Sequence, residues 1–268
     1  MTDSELFRRI DAYLDAVPRF AVRTEQIGPF TLFANEGHGW RYYARPTPGE
    51  TAFSREEVDA VLERQRALDQ PLEFEWMVDV SPGVGPACEQ AGLAVHDMPL
   101  MHLPREQLRD ATPPPGSAIA FATPDDDLAM FTAVAVVGFG VHGTGRGAGG
   151  HDEVASAARA IDANTVEFTR GRIERGLTVV AVATIEGAPV ATGSHQPIDA
   201  VTEIVGVACI PEFRRRGFGA AVAGALARDA FDRGVTTVFL SADDDDVARV
   251  YARLGFVEIG RMGAAAPP

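Results

Sequence analysis

The spacing of apolar positions divides the chain into helical and extended stretches. Leu6, Ile10, Tyr13, Leu14 and Val17 recur at helical intervals in "MTDSELFRRIDAYLDAV" and predict an amphipathic helix at the start. Ser54 and Glu57 make a capping pair ahead of a second helix that runs to about Leu68. "LEFEWMVD", "GVGPACEQAG" and "LAVHDMPLMHL" then read as strand, helix and strand. The pattern breaks at "REQLRDATPPPGS", where three consecutive prolines suit neither a helix nor a central strand and predict a stiff connector.

Beyond the connector, "AIAFA" reads as a strand. Thr123 is placed to cap a helix reaching about Val137, with Pro124 and three aspartates in its first turn. A glycine-rich loop covers 138–150, and one helix is expected over roughly 152–175. "TVVAVATI" and "PVATGSHQ" form a hairpin about Glu186 and Gly187, and "EIVGVACI" is apolar enough for a central strand. A helix over 217–233, the strand "TTVFLSA", the helix "DDVARVYARLG" and the strand "FVEIGRM" complete the chain. Alternation of this kind predicts an α/β fold with a mixed β-sheet flanked by helices.

The first hundred residues repeat part of that order. "WRYYARP" ends at a proline as "VGVACIP" does, and Ala91-Gly92-Leu93 stands where Leu254-Gly255-Phe256 stands later. The expectation is a duplicated fold with a degenerate first copy: an N-terminal domain over 1–104, a linker over 105–117 and a second domain over 118–268.

Composition narrows the chemistry. With 268 residues, 46% hydrophobic and 23% charged, this is an ordinary globular chain. No apolar run is long enough to cross a bilayer, and the N-terminus lacks the layout of a signal peptide, so a cytoplasmic location is expected. A formal charge of −14 argues against nucleic-acid and anionic-membrane partners. Every basic residue apart from histidine is arginine, so lysine chemistry is excluded. Cys88 and Cys209 are too few for a disulfide framework or a metal cluster, and no metal is expected.

"GFGVHG" at 138–143 matches a dinucleotide-binding glycine pattern, with Asp162 near the distance of a ribose-binding acid. The context is wrong, because no helix can begin inside the pattern and a helix, not a strand, precedes it. A loop that closes over an acceptor fits better.

The concentration of arginine at "PEFRRRGFGAAVAG" is the strongest local signal. A strand ends at Pro211, and a helix opens with Gly217 and Gly219. Glycines let an anion approach the backbone, the first-turn N–H groups point outward, and arginines add charge-assisted bonds. The turn reads as a phosphate cradle.

Arg214-x-x-Gly217-x-Gly219 after a strand and a proline resembles the Q/R-x-x-G-x-G/A signature of the GCN5-related N-acetyltransferases, and "VYARLGF" resembles a later motif of the same family. The resemblance covers about 118–262, with the N-terminal region similar to the degenerate half of tandem members. It implies that acetyl-CoA is the co-substrate and that its pyrophosphate lies on Arg214, Arg215, Arg216, Gly217, Phe218, Gly219 and Ala220. It also implies that the pantetheine arm pairs with main chain at Val207 and Cys209, where two strands splay apart. Tyr251 would be the general acid that protonates the departing thiolate. Glu203, fourteen positions before Gly217, would be the base, with His195 a rival. Asp244 departs from the asparagine the family carries seven residues before the tyrosine. "RPTPGETAFS" and Cys88 stand where the first copy would have its turn and its tyrosine, so no CoA is expected there.

The function expected is acetyl transfer to a primary amine of a small molecule or peptide by direct attack, with a homodimer compatible. A non-catalytic acyl-CoA-binding or regulatory module is the alternative.

Overall fold

The computed structural model describes residues 3–35, 42–141 and 143–268. Trp40, Arg41 and His142, which belong to two of the stretches quoted above, lie outside them. Two compact units are present. The first comprises Met1–Met101 with Ser241–Asp245 and Glu258–Pro268; the second comprises His102–Leu240 with Asp246–Val257.

In the first unit the chain runs α1 (Asp3–Arg19), β1 (Arg23–Ile27), β2 (Phe30–Ala34), β3 (Arg45–Pro46), α2 (Arg55–Ala67), β4 (Phe74–Met77), α3 (Val84–Gln90) and β5 (Ala94–Leu103). The apolar stripe of α1 is buried from Leu6 to Val17, as its spacing predicts. Ser54 and Glu57 close a reciprocal capping box at α2. β1, β2 and β3 form an antiparallel sheet, of which only the short β3 lies in a stretch singled out in the sequence, "WRYYARP". Its inner residues Phe30 and Leu32 join Val58, Val61, Phe74 and Trp76 in one apolar cluster. Phe30 and Phe74 meet edge-to-face at 5.3 Å, the arrangement ring quadrupoles favour. The last strand of the chain, β11 (Val257–Ala266), lies between β4 and β5 and pairs antiparallel with β4 from Met262↔Met77 to Ala265↔Phe74.

The second unit holds β6 (Ser117–Phe121), α4 (Leu128–Phe139), α5 (His151–Ala160), α6 (Ala163–Glu174), β7 (Val179–Ile185), β8 (Ala188–His195), β9 (Val201–Cys209), α7 (Phe218–Asp232), β10 (Thr237–Ser241) and α8 (Asp245–Ala252). Its strands lie in the order β10-β9-β8-β7-β6; β9 runs parallel to β10 and the other neighbours are antiparallel. Two helix boundaries differ from the expected ones. α4 is capped by Asp127, whose carboxylate accepts from the Met130 N–H, because Asp126 closes a turn back onto the Thr123 N–H and hydroxyl. The single helix expected over 152–175 is two, because the backbone turns extended at Ile161 and Asp162.

The strand register shows which face each helix covers. Thr192 pairs with Ala208, and a Cβ at Gly138 of α4 would sit 2.9 Å from the Ala208 Cβ. A Cβ at the next residue, Gly193, would meet Val222 and Leu226 of α7. Successive strand residues face opposite ways, so α4 and α7 cover opposite faces of β8 and β9.

Candidate functional site

β9 and β10 are in register from Val201↔Thr237 to Glu203↔Phe239, and β9 then continues to Cys209. Within that continuation the β8–β9 register shifts between Thr192 and Ser194, opposite Gly206, whose φ of +64° suits glycine. The extra residue of this bulge reverses the phase of the strand. Glu203 and Val205 lie on the α4 face. Past the bulge Val207 packs instead towards α7, against the Gly193 and Gly219 positions. The bulge thus turns the backbone groups around Val207 just before the arginine-glycine turn.

That turn is built from a short 3-10 segment, Pro211–Phe213, and then Arg214 to Gly217. Arg215 adopts a left-handed conformation with φ +61°, and Gly217, the N-cap of α7, has φ +96°. A non-glycine residue in that region is strained and is held only where its surroundings dictate it. The first helical bond of α7 runs from the Ala221 N–H to the Gly217 carbonyl. The N–H groups of Phe218, Gly219 and Ala220 therefore have no acceptor inside the helix. Arg215, Arg216 and Gly217 are exposed, and no atom approaches within 4 Å of a Cβ built at Gly217. The Arg216 guanidinium lies 4.8 Å from the centre of the Phe213 ring, whose other neighbours are His151 at 5.1 Å and Phe218 at 6.1 Å. An approaching anion meets main-chain donors, the positive end of a helix dipole and two exposed guanidinium groups.

Arg214 is used differently. Its side chain is buried, and the guanidinium donates to the carbonyls of Cys209, Gly138, Val141, Gly143 and Gly145. The donors expected from the sequence to meet phosphate are spent on the glycine-rich segment.

Glu203 is half-buried, and its carbonyl accepts from the Gln196 N–H. Tyr251 stands on α8, buried, with its ring 5.9 Å from that of Phe256. Burial pushes its phenol above the ordinary tyrosine value, so the hydroxyl stays protonated through the neutral range. The Cys209 thiol is pushed up to about 11 by burial, against the opposing influence of Arg214 and Arg216. It is thus a thiol and not a thiolate at neutral pH, which makes it a poor nucleophile.

His195 faces α7 and is engaged at both ring nitrogens. Nε2 is 2.9 Å from the Asp229 carboxylate and Nδ1 is 3.1 Å from the Thr202 hydroxyl. Asp229 also accepts from Arg233. Burial would raise the Asp229 carboxyl, but the bonds from Arg233 and His195 prevail and hold it below its usual range. Burial lowers the His195 value and outweighs the pull of Asp229. The ring is neutral, donating from Nε2 to Asp229 and accepting at Nδ1 from Thr202. This is a core network with no lone pair left for an acceptor amine. Its linkage has a definite sign. The folded value lies below the unfolded one, so this contribution is complete above about pH 6.5 and is lost as pH falls, when the unfolded chain binds the extra proton. Thermal melts should show the midpoint falling from pH 7 to pH 5, and His195→Gln should flatten that slope; an unchanged slope in the variant would remove His195 as its source.

The structure gathers Val207, Cys209 and Arg214 through Ala220 on one strand-turn-helix. Glu203 lies upstream on the same strand, and Tyr251 on a separate helix. The sequence reading passed over the bulge at Gly206, although an isolated glycine inside an apolar strand is its usual sign. It also passed over Arg146, whose Nε donates to the Arg214 carbonyl at 3.0 Å; nothing in the local pattern marks that long-range contact.

Residues 153–256 match the family model described as "Acetyltransferase (GNAT) family". No curated protein matches the chain. Among solved structures, a GCN5-related N-acetyltransferase from Kribbella flavida superposes with a TM-score of 0.73 at 22% identity, covering 98% of this chain and 96% of that one. A tandem GNAT protein from the clavulanic acid biosynthesis pathway gives 0.54 at 19% identity, over 88% of this chain and 77% of its own. A GCN5-related N-acetyltransferase-like protein from Streptococcus suis gives 0.55 at 13% identity, over 99% of each chain. At these identities the likeness is one of fold. Among the described residues, no helix is long and apolar enough to cross a membrane.

Proposed function

We propose, from the match of residues 153–256 to the acetyltransferase (GNAT) family model, that this protein transfers the acetyl group of acetyl-CoA to a primary amine of a small molecule or peptide. The observation that carries the reading is the opening of α7: a left-handed Gly217 with open space before it, flanked by two exposed arginines, at the end of a strand that outruns its parallel neighbour.

The N–H groups of Phe218, Gly219 and Ala220 receive the diphosphate, with Arg215 and Arg216 supplying charge. The two amides of the pantetheine arm need main-chain partners, and β9 beyond Glu203 offers them by strand addition around Val207 and Cys209. N–H groups beside the bulge stabilise the oxyanion that forms as the amine attacks the thioester. Glu203, on the α4 face, takes the proton that the ammonium must lose, directly or through water. Tyr251 gives a proton to the departing sulfur. The protonated state of Cys209 favours direct attack over an acyl-cysteine intermediate.

In the first unit the corresponding helix start supports no such role. The Ser54–Glu57 box already satisfies the Ser54 and Glu57 N–H groups, and Glu56 and Glu57 place negative charge at that end. Cys88, at the position matching Tyr251, is buried, and burial pushes its thiol up to about 12.

Incubation of the full chain with acetyl-CoA and a panel of primary amines should release free thiol, and calorimetry should record CoA binding. Silence in both measurements would dispose of the proposal.

A further inference from the structure

We propose that Arg214 is a positioning residue whose guanidinium clasps the glycine-rich segment after α4 to the phosphate turn, so that coenzyme A binding at the turn orders that segment. The inference rests on the acetyl-CoA reading above for its ligand, but its geometry stands independently.

The clasp is reciprocal. From the turn, Arg214 donates to Gly138, Val141, Gly143 and Gly145. From the segment, Arg146 donates back to the Arg214 carbonyl. Two further joints lie alongside: the Glu212 N–H donates to the Gly149 carbonyl, and Gly149 packs so closely on Pro211 that a Cβ would stand 3.0 Å from its ring. Residues 138–141, 143–150 and 209–214 thus form one hydrogen-bonded body.

A planar guanidinium suits this task because its fixed fork reaches several carbonyls at once, which a lysine ammonium cannot do from one position. Among the described residues, carbonyl dipoles rather than a carboxylate solvate the buried charge. An anion arriving at the start of α7 supplies the missing negative charge. It stabilises Arg214 in place and, through Arg214, the carbonyls that Arg214 holds. The α4 face of the strands, which carries Glu203, is the side on which this segment begins. Cofactor binding therefore shapes the wall that an acceptor meets.

Hydrogen exchange read by mass spectrometry on the full chain tests this, with wild type, Arg214→Ala, Arg214→Lys and Arg146→Ala, each with and without coenzyme A. Without ligand, peptides over 138–150 should exchange about tenfold faster in Arg214→Ala, and nearly as fast in Arg214→Lys, since a point charge does not replace the fork. Arg146→Ala, at an exposed residue that gives the clasp one bond, should give a smaller acceleration. With coenzyme A, wild type should gain protection over both 215–221 and 138–150, whereas Arg214→Ala should gain it only over 215–221. If Arg214→Ala exchanges globally because it does not fold, the Lys and Arg146 variants carry the same comparison. Unchanged exchange over 138–150 in the unliganded variants overturns the clasp. Ligand protection of 138–150 that is missing in wild type, or that survives the loss of Arg214, overturns the coupling while leaving the acetyltransferase reading intact. Absence of any protection by coenzyme A, including over 215–221, defeats that reading and the coupling together, and the unliganded comparison still decides the clasp.

Discussion

Replacing Tyr251 by phenylalanine should lower kcat by about a hundredfold while coenzyme A affinity stays within about threefold. The substitution keeps the ring and its packing on Phe256 and removes only the hydroxyl. A general acid acts when charge develops on the departing sulfur, so its loss belongs in kcat and not in cofactor binding. The same residue sets an expectation for pH. Burial raises the phenol above its ordinary value near 10, so the acid form persists, and no falling limb due to Tyr251 should appear between about pH 8 and pH 10. Steady-state rates across that range, with calorimetric titration of both proteins, give the answer. Undiminished turnover in the variant would take Tyr251 out of the chemistry. Tight coenzyme A binding with no turnover on any amine, in wild type as well, would favour a cofactor-sensing module.

Gly217→Ala should raise the Kd for coenzyme A by at least about tenfold and destabilise the fold by about 1 kcal/mol or more. The stability loss follows from φ of +96°, which a side chain tolerates poorly even though no neighbour lies within 4 Å of the new methyl. The affinity loss follows if relief of that strain turns the following N–H groups away from their common focus. Gly219→Ala is the control, because that residue is already helical and its Cβ would make an ordinary 3.8 Å contact with Val207. Its stability should hold or rise by about 0.5–1 kcal/mol, as expected for glycine replaced by alanine inside a helix. Thermal melts with parallel titrations separate the two effects. Wild-type affinity in Gly217→Ala would mean that the ligand does not rest on the start of α7.

Much of the local structure was legible because it depends on neighbours in the chain. The α1 stripe, the Ser54–Glu57 box, the hairpin at Glu186 and Gly187, both left-handed, and the glycine opening of α7 are each fixed within a few residues. One local likeness was also readable. The helix ends at Ala91-Gly92-Leu93 and Leu254-Gly255-Phe256 close with matching bonds, from Leu93 N–H to Cys88 and from Phe256 N–H to Tyr251. Boundaries failed where two polar residues competed for one task. Asp126 satisfied Thr123 and left the cap of α4 to Asp127, a choice that composition does not settle.

Three features of the site came only with the fold. The sequence placed three arginines at one turn, but their division of labour depends on which carbonyls the folded chain brings within reach. Arg214 is turned inward onto the segment after α4, while Arg215 and Arg216 face outward. His195 looked available as a base until α7 set Asp229 against one ring nitrogen and β9 set Thr202 against the other. The last strand carried a clear extended pattern, yet its pairing with β4 joins residues on opposite sides of the whole intervening chain. By itself the sequence determined most of the elements and the glycine opening of α7, because propensity, capping and turn conformation act over a few residues. The tertiary structure decided which polar side chains remain available for chemistry, because burial and hydrogen-bond satisfaction depend on partners that local pattern does not encode.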